Sequence, residues 1–333
     1  VTYSIAFSDS AGNAGTAVTS GSGSVTFDKT SPTAAITYSA TAPFKNGDAN
    51  VVITATFNGA VLDSPVPTIA IAGSGIAATS STVMTKTSST VYTYTYTVPT
   101  GDGTGTVTVG TGTDAAGNVV TSTPTSGATF TVDNTSPTAA ITYSATAPFK
   151  NGDANVVITA TFNGAVLDSP VPTIAIAGSG IAATSSTVMT KTSSTVYTYT
   201  YTVPTGDGTG TVTVGTGTDA AGNVVTSTPT SGATFTVDNT APTAAITYSY
   251  AAPYKNGGTN VTITATFNGA VLDSPTPTIA IAGSGIANVS SANMSKTSTT
   301  VYTYTYAVPT GDGTGTVTVG TGTDAAGNVV TST

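Results

Sequence analysis

The chain repeats itself with a period of 105 residues, and this repeat constrains the possible folds more than any other feature. Residues 30–134 and 135–239 are identical at all 105 positions. Residues 240–333 continue in the same frame with scattered substitutions, and residues 1–29 align with the last part of the repeat. A unit of this length can bury a hydrophobic core of its own. The sequence therefore predicts a tandem array of domains, each with its own core.

The repeat frame also predicts the domain boundaries. Residues 1–29 supply the C-terminal strands of a preceding repeat, and residues 30–134 and 135–239 are two complete, identical repeats. Residues 240–333 form a repeat that lacks its last strand. Since both ends fall inside a repeat, we expect the chain to be a section of a longer repeat protein.

Apolar and polar residues alternate along most of the repeat, which is typical of strands with one buried face. The clearest case is Tyr92, Tyr94 and Tyr96, which alternate with threonines. In the first repeat the pattern predicts strands near residues 33–39, 50–58, 66–72, 82–87, 91–98 and 105–113, and a last strand split into 118–123 and 128–133. The predicted fold class is all-β, with tandem immunoglobulin-like antiparallel β-sandwiches arranged as a rod.

The composition leaves little chemistry for catalysis. The chain has no histidine, cysteine or glutamate, which excludes a Ser-His-Asp triad and a zinc site of His and Cys ligands. We therefore predict that it is not an enzyme. The net charge of −8 argues against binding to nucleic acid, and no apolar run is long enough to insert into a membrane.

Two motifs at a fixed spacing resemble a known family. A strand ending in Thr-Asp-Ala-Ala-Gly-Asn at 113–118 is followed by Thr-Val-Asp-Asn-Thr at 131–135, and Pro137 opens the next unit. This arrangement is similar to the tandem bacterial Ig-like repeats of very large secreted surface proteins, including biofilm-associated and RTX-type adhesins. The resemblance implies an extracellular stalk, and several members of that family hold neighbouring domains rigid with calcium. The RTX nonapeptide itself is absent.

These observations lead to a predicted function and one alternative. We predict a stalk or spacer at the cell surface, whose partners are neighbouring repeats of the same chain. The alternative is a self-assembling extracellular filament or surface-layer subunit, in which residues 21–29 of one chain supply the missing strand of another chain's third repeat. A carbohydrate-binding module is a third possibility, in which the tyrosine ladder at 92–96 would be a sugar platform rather than part of the core.

Aspartate is the one residue type that could bring a metal to the joints between repeats, because calcium prefers carboxylate and carbonyl oxygens. In a sandwich of this type, one pole of a domain faces the opposite pole of the next. The candidate interdomain calcium ligands are Asp28, Asp63, Asp114, Asp133, Asp168, Asp219, Asp238, Asp273 and Asp324, with Asp102 and Asp207 as possible additions.

The same aspartates also fit ordinary turn chemistry. Asp114 can start a turn that ends at Gly117, Asp63 can form an Asx-turn, and Asp133 can cap the exit from a strand. Tyr250 and Tyr254 occur only in the third repeat, at a strand end and in a loop, where they could form a small contact patch.

Overall fold

The computed structural model describes residues 3–19 and 26–331, and every regular element named in these ranges is a β-strand. The β-branched Thr, Val and Ile residues that dominate the repeat favour extended backbone. The first repeat contains β1 (Ala34–Tyr38), β2 (Val51–Phe57), β3 (Thr68–Ala72), β4 (Thr79–Val83), β5 (Thr85–Lys86), β6 (Val91–Tyr96), β7 (Gly103–Gly110) and β8 (Thr129–Val132).

The other two repeats follow the same order of strands. The second contains β9 (Ala139–Tyr143), β10 (Val156–Phe162), β11 (Thr173–Ala177), β12 (Thr184–Val188), β13 (Thr190–Lys191), β14 (Val196–Tyr201), β15 (Gly208–Gly215) and β16 (Thr234–Val237). The third contains β17 (Ala244–Tyr248), β18 (Val261–Phe267), β19 (Thr278–Ser284), β20 (Val289–Asn293), β21 (Ser295–Lys296), β22 (Val301–Tyr306) and β23 (Thr314–Gly320).

Each complete repeat forms two four-stranded sheets. In the first repeat the strand orders are β1-β2-β6-β5 and β4-β3-β7-β8, and all of these pairs are antiparallel. The second sheet of the third repeat has three strands in the described part of the chain, ordered β20-β19-β23. The predicted fold class of tandem immunoglobulin-like antiparallel β-sandwiches is confirmed, and the arrangement as a rod stays a prediction.

The core of each repeat is built from every second side chain of the facing strands. Along β2, Val51, Ile53 and Ala55 are buried, whereas Val52 and Thr54 between them are only partly buried and Thr56 is exposed. The tyrosine ladder follows the same rule, because Tyr92 and Tyr96 are buried and Tyr94 packs against the core. The ladder therefore belongs to the core, and equivalent clusters occupy the second and third repeats.

An aromatic cluster closes the core where β8 covers β7. The ring of Phe130 lies 5.1 Å from the Tyr96 ring and 5.6 Å from the rings of Phe44 and Tyr38, measured between centroids. A Cβ atom on Gly105 would lie 2.4 Å from the Phe130 ring, so only glycine fits beneath it. Gly105 thus takes an inward position of β7 because the aromatic ring occupies the place of a side chain.

Two predicted strands of the sequence analysis are wrong. The predicted strand at 82–87 is divided at buried Met84, because β4 pairs with β3 whereas β5 pairs with β6 in the other sheet. The predicted half-strand at 118–123 forms only an isolated bridge, between Thr113 and Val119. Its backbone divides its hydrogen bonds between two neighbours: Ser122 accepts the N–H of Val109 in β7 at 3.0 Å, whereas the N–H of Thr121 donates to the carbonyl oxygen of Pro32 at 2.8 Å.

The chain divides into two compact units. The first comprises Val1–Thr135 with Ala221–Asn223, and the second comprises Ser136–Ala220 with Val224–Thr333. The three cores lie within the predicted repeats, whose boundaries stay a prediction. Residues 20–25, which include most of the segment proposed for strand exchange, lie outside the described residues. The described part of the chain contains no helix long and apolar enough to cross a membrane.

The aromatic cluster gives a direct test of the core. Replacing Phe130 and its counterpart Phe235 with alanine would leave cavities between the sheets, and we expect a loss of about 3–5 kcal/mol in the free energy of unfolding of each repeat. Urea unfolding followed by tyrosine fluorescence measures this loss. Phe27→Ala is the control, because Phe27 is 73 % exposed and its removal should cost less than about 0.5 kcal/mol. Equal effects of the two changes would contradict the described core.

Candidate functional site at the joints between repeats

The residues after β16 lead from the second repeat into the third, and Asn239 is their central residue. Its backbone N–H donates to Asp207 Oδ1 at 2.5 Å, and its Nδ2 donates to the carbonyl oxygens of Gly206 at 2.9 Å and Pro204 at 3.3 Å. Its Oδ1 accepts the N–H of Asn151 at 2.6 Å. The Asn239 side chain therefore ties the C-terminal end of the second repeat to two loops of that repeat, one at Pro204 and Gly206 and the other at Asn151.

Asp207 supports this exit with both of its carboxylate oxygens. Oδ1 accepts the N–H of Asn239, and Oδ2 accepts the hydroxyl of Thr240. The hydrogen bond from Thr240 and then the backbone bond from Asn239 lower the pKa of Asp207 from its usual 3.8, because both bonds favour the charged carboxylate. In the structure Asp207 binds the linker, and its role as a possible calcium ligand stays a prediction.

On the side of the third repeat, the joint is formed by the turn at residues 324–328. Asp324 Oδ1 accepts the N–H groups of Ala326 and Asn328 at 2.9 Å, and Oδ2 accepts Nδ2 of Asn328 at 2.9 Å. Gly327 has a φ of +82°, which is unfavourable for residues with a side chain. The carboxylate and the glycine together fix the shape of the turn and leave the carbonyl of Gly327 available to a donor.

Two hydrogen bonds cross from the second repeat to the third. Lys150 Nζ donates to the carbonyl oxygen of Gly327 at 2.7 Å. Asn328 Nδ2, which already contacts Asp324, donates to the carbonyl oxygen of Asp238 at 3.0 Å. A shallow pocket of about 350 Å³ lies beside these bonds and is lined by Lys150, Asn151, Thr205, Asn239, Ala241, Asn328 and Val329.

The same set of contacts occurs in the first compact unit. Asn134 donates to Asp102 Oδ1 at 2.6 Å through its N–H and to the carbonyl oxygen of Gly101 at 2.8 Å through Nδ2. Lys45 Nζ lies 2.9 Å from the carbonyl oxygen of Gly222, the counterpart of Gly327. The other crossing bond is also repeated, because Asn223 Nδ2 donates to the carbonyl oxygen of Asp133 at 2.9 Å.

The joint at the start of the first repeat shares half of this arrangement. Asn118 Nδ2 donates to the carbonyl oxygen of Asp28 at 3.2 Å and to Asp114 Oδ2 at 2.9 Å. A pocket of about 530 Å³ beside these residues is lined by Thr26, Asp28, Thr30, Ser31, Pro32, Asn58, Gly59, Ala60, Asp114, Ala115 and Ala116. Two of the predicted calcium ligands, Asp28 and Asp114, therefore line the same pocket.

Three other predicted ligands are ion-paired within their own repeats. Each lies after the second strand of its repeat and bonds a lysine 23 residues later. The pairs are Asp63–Lys86 at 2.5 Å, Asp168–Lys191 at 2.7 Å and Asp273–Lys296 at 2.8 Å. The aspartates are about two-thirds exposed, so these pairs are solvent-screened and contribute little to stability.

Most of the remaining predicted ligands accept backbone N–H groups close to them in sequence, as turn-forming aspartates do. Asp28, Asp133 and Asp238 each accept the N–H of the residue two positions on, at 2.9–3.0 Å, as in an Asx-turn. Asp114 and Asp324 accept the N–H groups of their own turns, and Asp219 is buried at the same position of the second repeat.

These contacts leave calcium without a ready set of ligands. Within residues 3–19 and 26–331, no group of three or more acidic side chains is close enough to hold a metal. Calcium usually takes six to eight oxygens, with several carboxylates among them. The described joints therefore bring no three carboxylates together, and interdomain calcium stays an untested prediction.

The lysine and asparagine residues that make the crossing bonds were not among the predicted site residues. Lys150 and Asn328 lie 178 positions apart in the sequence, and nothing local to either residue indicates that they meet at one joint. One signal was available, because the segment Lys-Asn-Gly recurs at 45–47, 150–152 and 255–257. A lysine that recurs with the period of the repeat, in a chain with seven lysines, indicates a role at a recurring site.

The tyrosines peculiar to the third repeat lie together. The rings of Tyr250 and Tyr254 are 5.2 Å apart and nearly perpendicular, and Tyr250 donates its hydroxyl to the carbonyl oxygen of Thr259. Tyr250 is 38 % exposed. A contact patch at this position stays a prediction.

Comparison with known proteins identifies no family. No family model matches the chain, and no curated protein matches it either. Among solved structures, the chain is similar to the Escherichia coli adhesin FdeC, with 15 % identity over 90 % of this chain and 94 % of that one, and a TM-score of 0.40.

Two further similar structures come from animal proteins. A fragment of titin has 13 % identity over 90 % of this chain and 95 % of its own, with a TM-score of 0.30. The FN1–FN3 domains of chicken CNTN1 have 8 % identity over 91 % and 96 %, with a TM-score of 0.28. Because all three TM-scores are low, these similarities carry no argument about function.

Asp102 and Asp207, which bind the linkers, should make the folding stability of the chain sensitive to acid. Hydrogen bonds from Thr135 and Asn134 lower the pKa of Asp102 from 3.8, as their counterparts do for Asp207. Because the pKa is lower in the folded state, the stabilisation is present above about pH 4 and is lost as the pH falls through the folded-state pKa.

We therefore expect Asp102→Asn with Asp207→Asn to lower the Tm at neutral pH and to flatten its decline below about pH 4. Calorimetry over a pH series measures both effects. Asp312→Asn is the matched control, because Asp312 has the same position in the third repeat and accepts no such bond from the described residues. An unchanged pH profile in the double variant would show that these carboxylates do not hold the linkers.

Proposed function

We propose that this chain is a stalk or spacer region of an extracellular or cell-surface protein, in which neighbouring repeats are held by direct hydrogen bonds. The observation that carries this proposal is the joint between the second and third repeats. There, Lys150 binds the carbonyl of Gly327, Asn328 binds the carbonyl of Asp238, and Asn239 fastens the linker to its own repeat. Such a joint restricts bending without a second protein or a bound ion.

The identity of the first two repeats supports a mechanical role. A spacer gains length whenever a repeat is copied, and no copy needs a new site. A catalytic site would need general bases and activated nucleophiles, and the sequence has no histidine, cysteine or glutamate to supply them. Most of the described aspartates bond lysines, turns or linkers, and we propose that the chain is not an enzyme.

The surface of the repeats also suits an exposed stalk. Only 7 % of the residues are charged, and threonines form most of the outward faces of the strands. Threonine keeps these faces polar while it favours the extended backbone. Adhesion is part of this proposal as the task of a larger protein, and the resemblance to bacterial Ig-like stalk repeats supports it.

The alternative of strand exchange rests on one observation. In the first two repeats β8 and β16 cover the outer edges of β7 and β15, whereas no described strand pairs with the outer edge of β23. A strand from a second copy could bind there. Deletion of residues 1–29 should then abolish end-to-end polymers in sedimentation velocity, and a full chain that stays monomeric would eliminate this alternative.

The joint can be tested by removing its lysines. We expect Lys45→Met with Lys150→Met to loosen both joints, because a hydrogen bond from a charged donor contributes about 1.5–3 kcal/mol. Small-angle scattering in EDTA should show a broader range of particle dimensions, and the Tm should fall by about 4 °C or more for each kcal/mol lost.

Lys255→Met provides the matched control for this experiment. Lys255 occupies the same position in the third repeat, and its ammonium has no hydrogen-bond partner among the described residues. Its replacement should leave scattering and Tm unchanged. If the double lysine variant also behaves like the parent chain, direct hydrogen bonds do not close the joints.

A calcium titration separates the two accounts of the joint. If hydrogen bonds suffice, the parent chain keeps its Tm and its scattering profile when calcium replaces EDTA. If calcium raises the Tm, and Asp28→Asn with Asp133→Asn and Asp238→Asn removes that increase, the predicted interdomain calcium is correct. These outcomes exclude each other for the joints.

A further inference from the structure

The segment that enters each complete repeat runs beside the segment that leaves it, and both point in the same direction. In the first repeat, the pairs Ala35–Ser126 and Phe44–Val132 form parallel bridges. The pairs Ala140–Ser231 and Phe149–Val237 repeat them in the second repeat. All strand pairs within the sheets are antiparallel, so this contact is of a different kind.

Five backbone hydrogen bonds join the two segments near their two ends. In the first repeat they are Thr121 N to Pro32 O at 2.8 Å, Thr125 N to Ala34 O at 2.7 Å, Ile36 N to Ser126 O at 3.0 Å, Phe44 N to Thr131 O at 2.9 Å and Asp133 N to Phe44 O at 2.9 Å. In the second they are Thr226 N to Pro137 O, Thr230 N to Ala139 O, Ile141 N to Ser231 O, Phe149 N to Thr236 O and Asp238 N to Phe149 O, at 2.7–3.0 Å.

Two side-chain features hold these segments together at their middle. Gly127 has a φ of +68°, and a Cβ atom there would lie 2.0 Å from the carbonyl oxygen of Ile36. Tyr38 donates its hydroxyl to the carbonyl oxygen of Gly127 at 2.6 Å. Burial raises the pKa of Tyr38 to about 12.

Tension along the chain would load this contact in shear. Pulling on the two ends of a repeat draws the entering segment towards its start and the leaving segment towards its end, so parallel segments slide past each other. Bonds that lie across the direction of sliding share the load and must break together. By contrast, when an antiparallel hairpin is pulled apart at its open end, its hydrogen bonds break one at a time.

We propose that the paired segments 32–44 with 121–133, and 137–149 with 226–238, are load-bearing clamps that let each repeat remain folded under tension. This inference rests on the proposed function, because a stalk at a cell surface is pulled along its length when the object it holds is moved. It assigns resistance to force to a specific set of backbone bonds rather than to the core.

The clamp can be tested by stretching the full chain between its termini in a single-molecule force experiment. Each complete repeat should unfold as a separate event that releases roughly 350 Å of chain, since extended residues span about 3.3 Å each. Gly127→Ala with Gly232→Ala should push the paired segments apart. We expect the unfolding rate at a fixed force to rise about tenfold for each hydrogen bond lost.

Gly75→Ala with Gly180→Ala provides the matched control. These glycines have a φ of +71°, and a Cβ atom would lie 1.9 Å from the carbonyl oxygens of Asp102 and Asp207, outside the clamps. Both pairs of changes should lower the Tm, but only the change at Gly127 and Gly232 should produce the larger rise in unfolding rate under force. Equal rises at equal loss of Tm would overturn the proposal.

A milder pair of changes covers the case in which the glycine variants do not fold. Tyr38→Phe with Tyr143→Phe removes only the hydroxyl bonds to Gly127 and Gly232. Tyr94→Phe with Tyr199→Phe removes hydroxyls that make no bond to the clamps and is the control. Faster unfolding under force in the first variant alone supports the clamp, and equal unfolding rates in the two variants contradict it.

The direction of pulling gives an independent test. The chain has no cysteine, so Gly59→Cys with Ser89→Cys supplies two handles at neighbouring ends of β2 and β6. Force between these handles peels the strands apart, and the first repeat should unfold at a much lower force than between the termini. Equal forces would overturn the clamp. That result would not contradict the proposed stalk function, because scattering and Tm of the lysine variants test the joints without applied force.

Discussion

Burial of every second side chain between two sheets is the interaction on which the rest of this structure depends. It places Val51, Ile53 and Ala55 inside and leaves threonine outside, in a chain with few charged residues to keep it soluble. The packing between the sheets also explains where this alternation is broken. Where the ring of Phe130 needs space above β7, the alternating residue is glycine, and the core remains continuous.

The positions of the strands then determine what meets at the poles. The ends of β6 and β8 bring the loop at 99–103 next to the linker, so that Asp102 and Gly101 can hold Asn134. The loop after β1 brings Asn46 to the same asparagine at 2.7 Å and directs Lys45 towards the next turn. The joint is thus a consequence of the sandwich, with polar groups at the ends of strands bonded to each other rather than to water.

The sequence predicted the fold well because alternation and repetition are local signals. Neither signal specifies which sheet an edge strand joins, so the change of sheet at Met84 was missed. The site was harder to predict for a related reason. An aspartate that binds calcium and one that binds a nearby N–H or lysine look the same in sequence. Asp63 finds Lys86 only because β5 lies beside β6, and Lys150 reaches Gly327 only through the arrangement of two repeats.

The distance between two spin labels across one joint tests the central claim most directly. Thr200→Cys and Thr305→Cys place labels on exposed, equivalent positions of β14 and β22, in a chain without other cysteines. If hydrogen bonds from Lys150 and Asn328 close the joint, the distance distribution is narrow in EDTA and does not change when calcium is added. A distribution that is broad in EDTA would contradict the account, and one that narrows only with calcium would assign the joint to the metal.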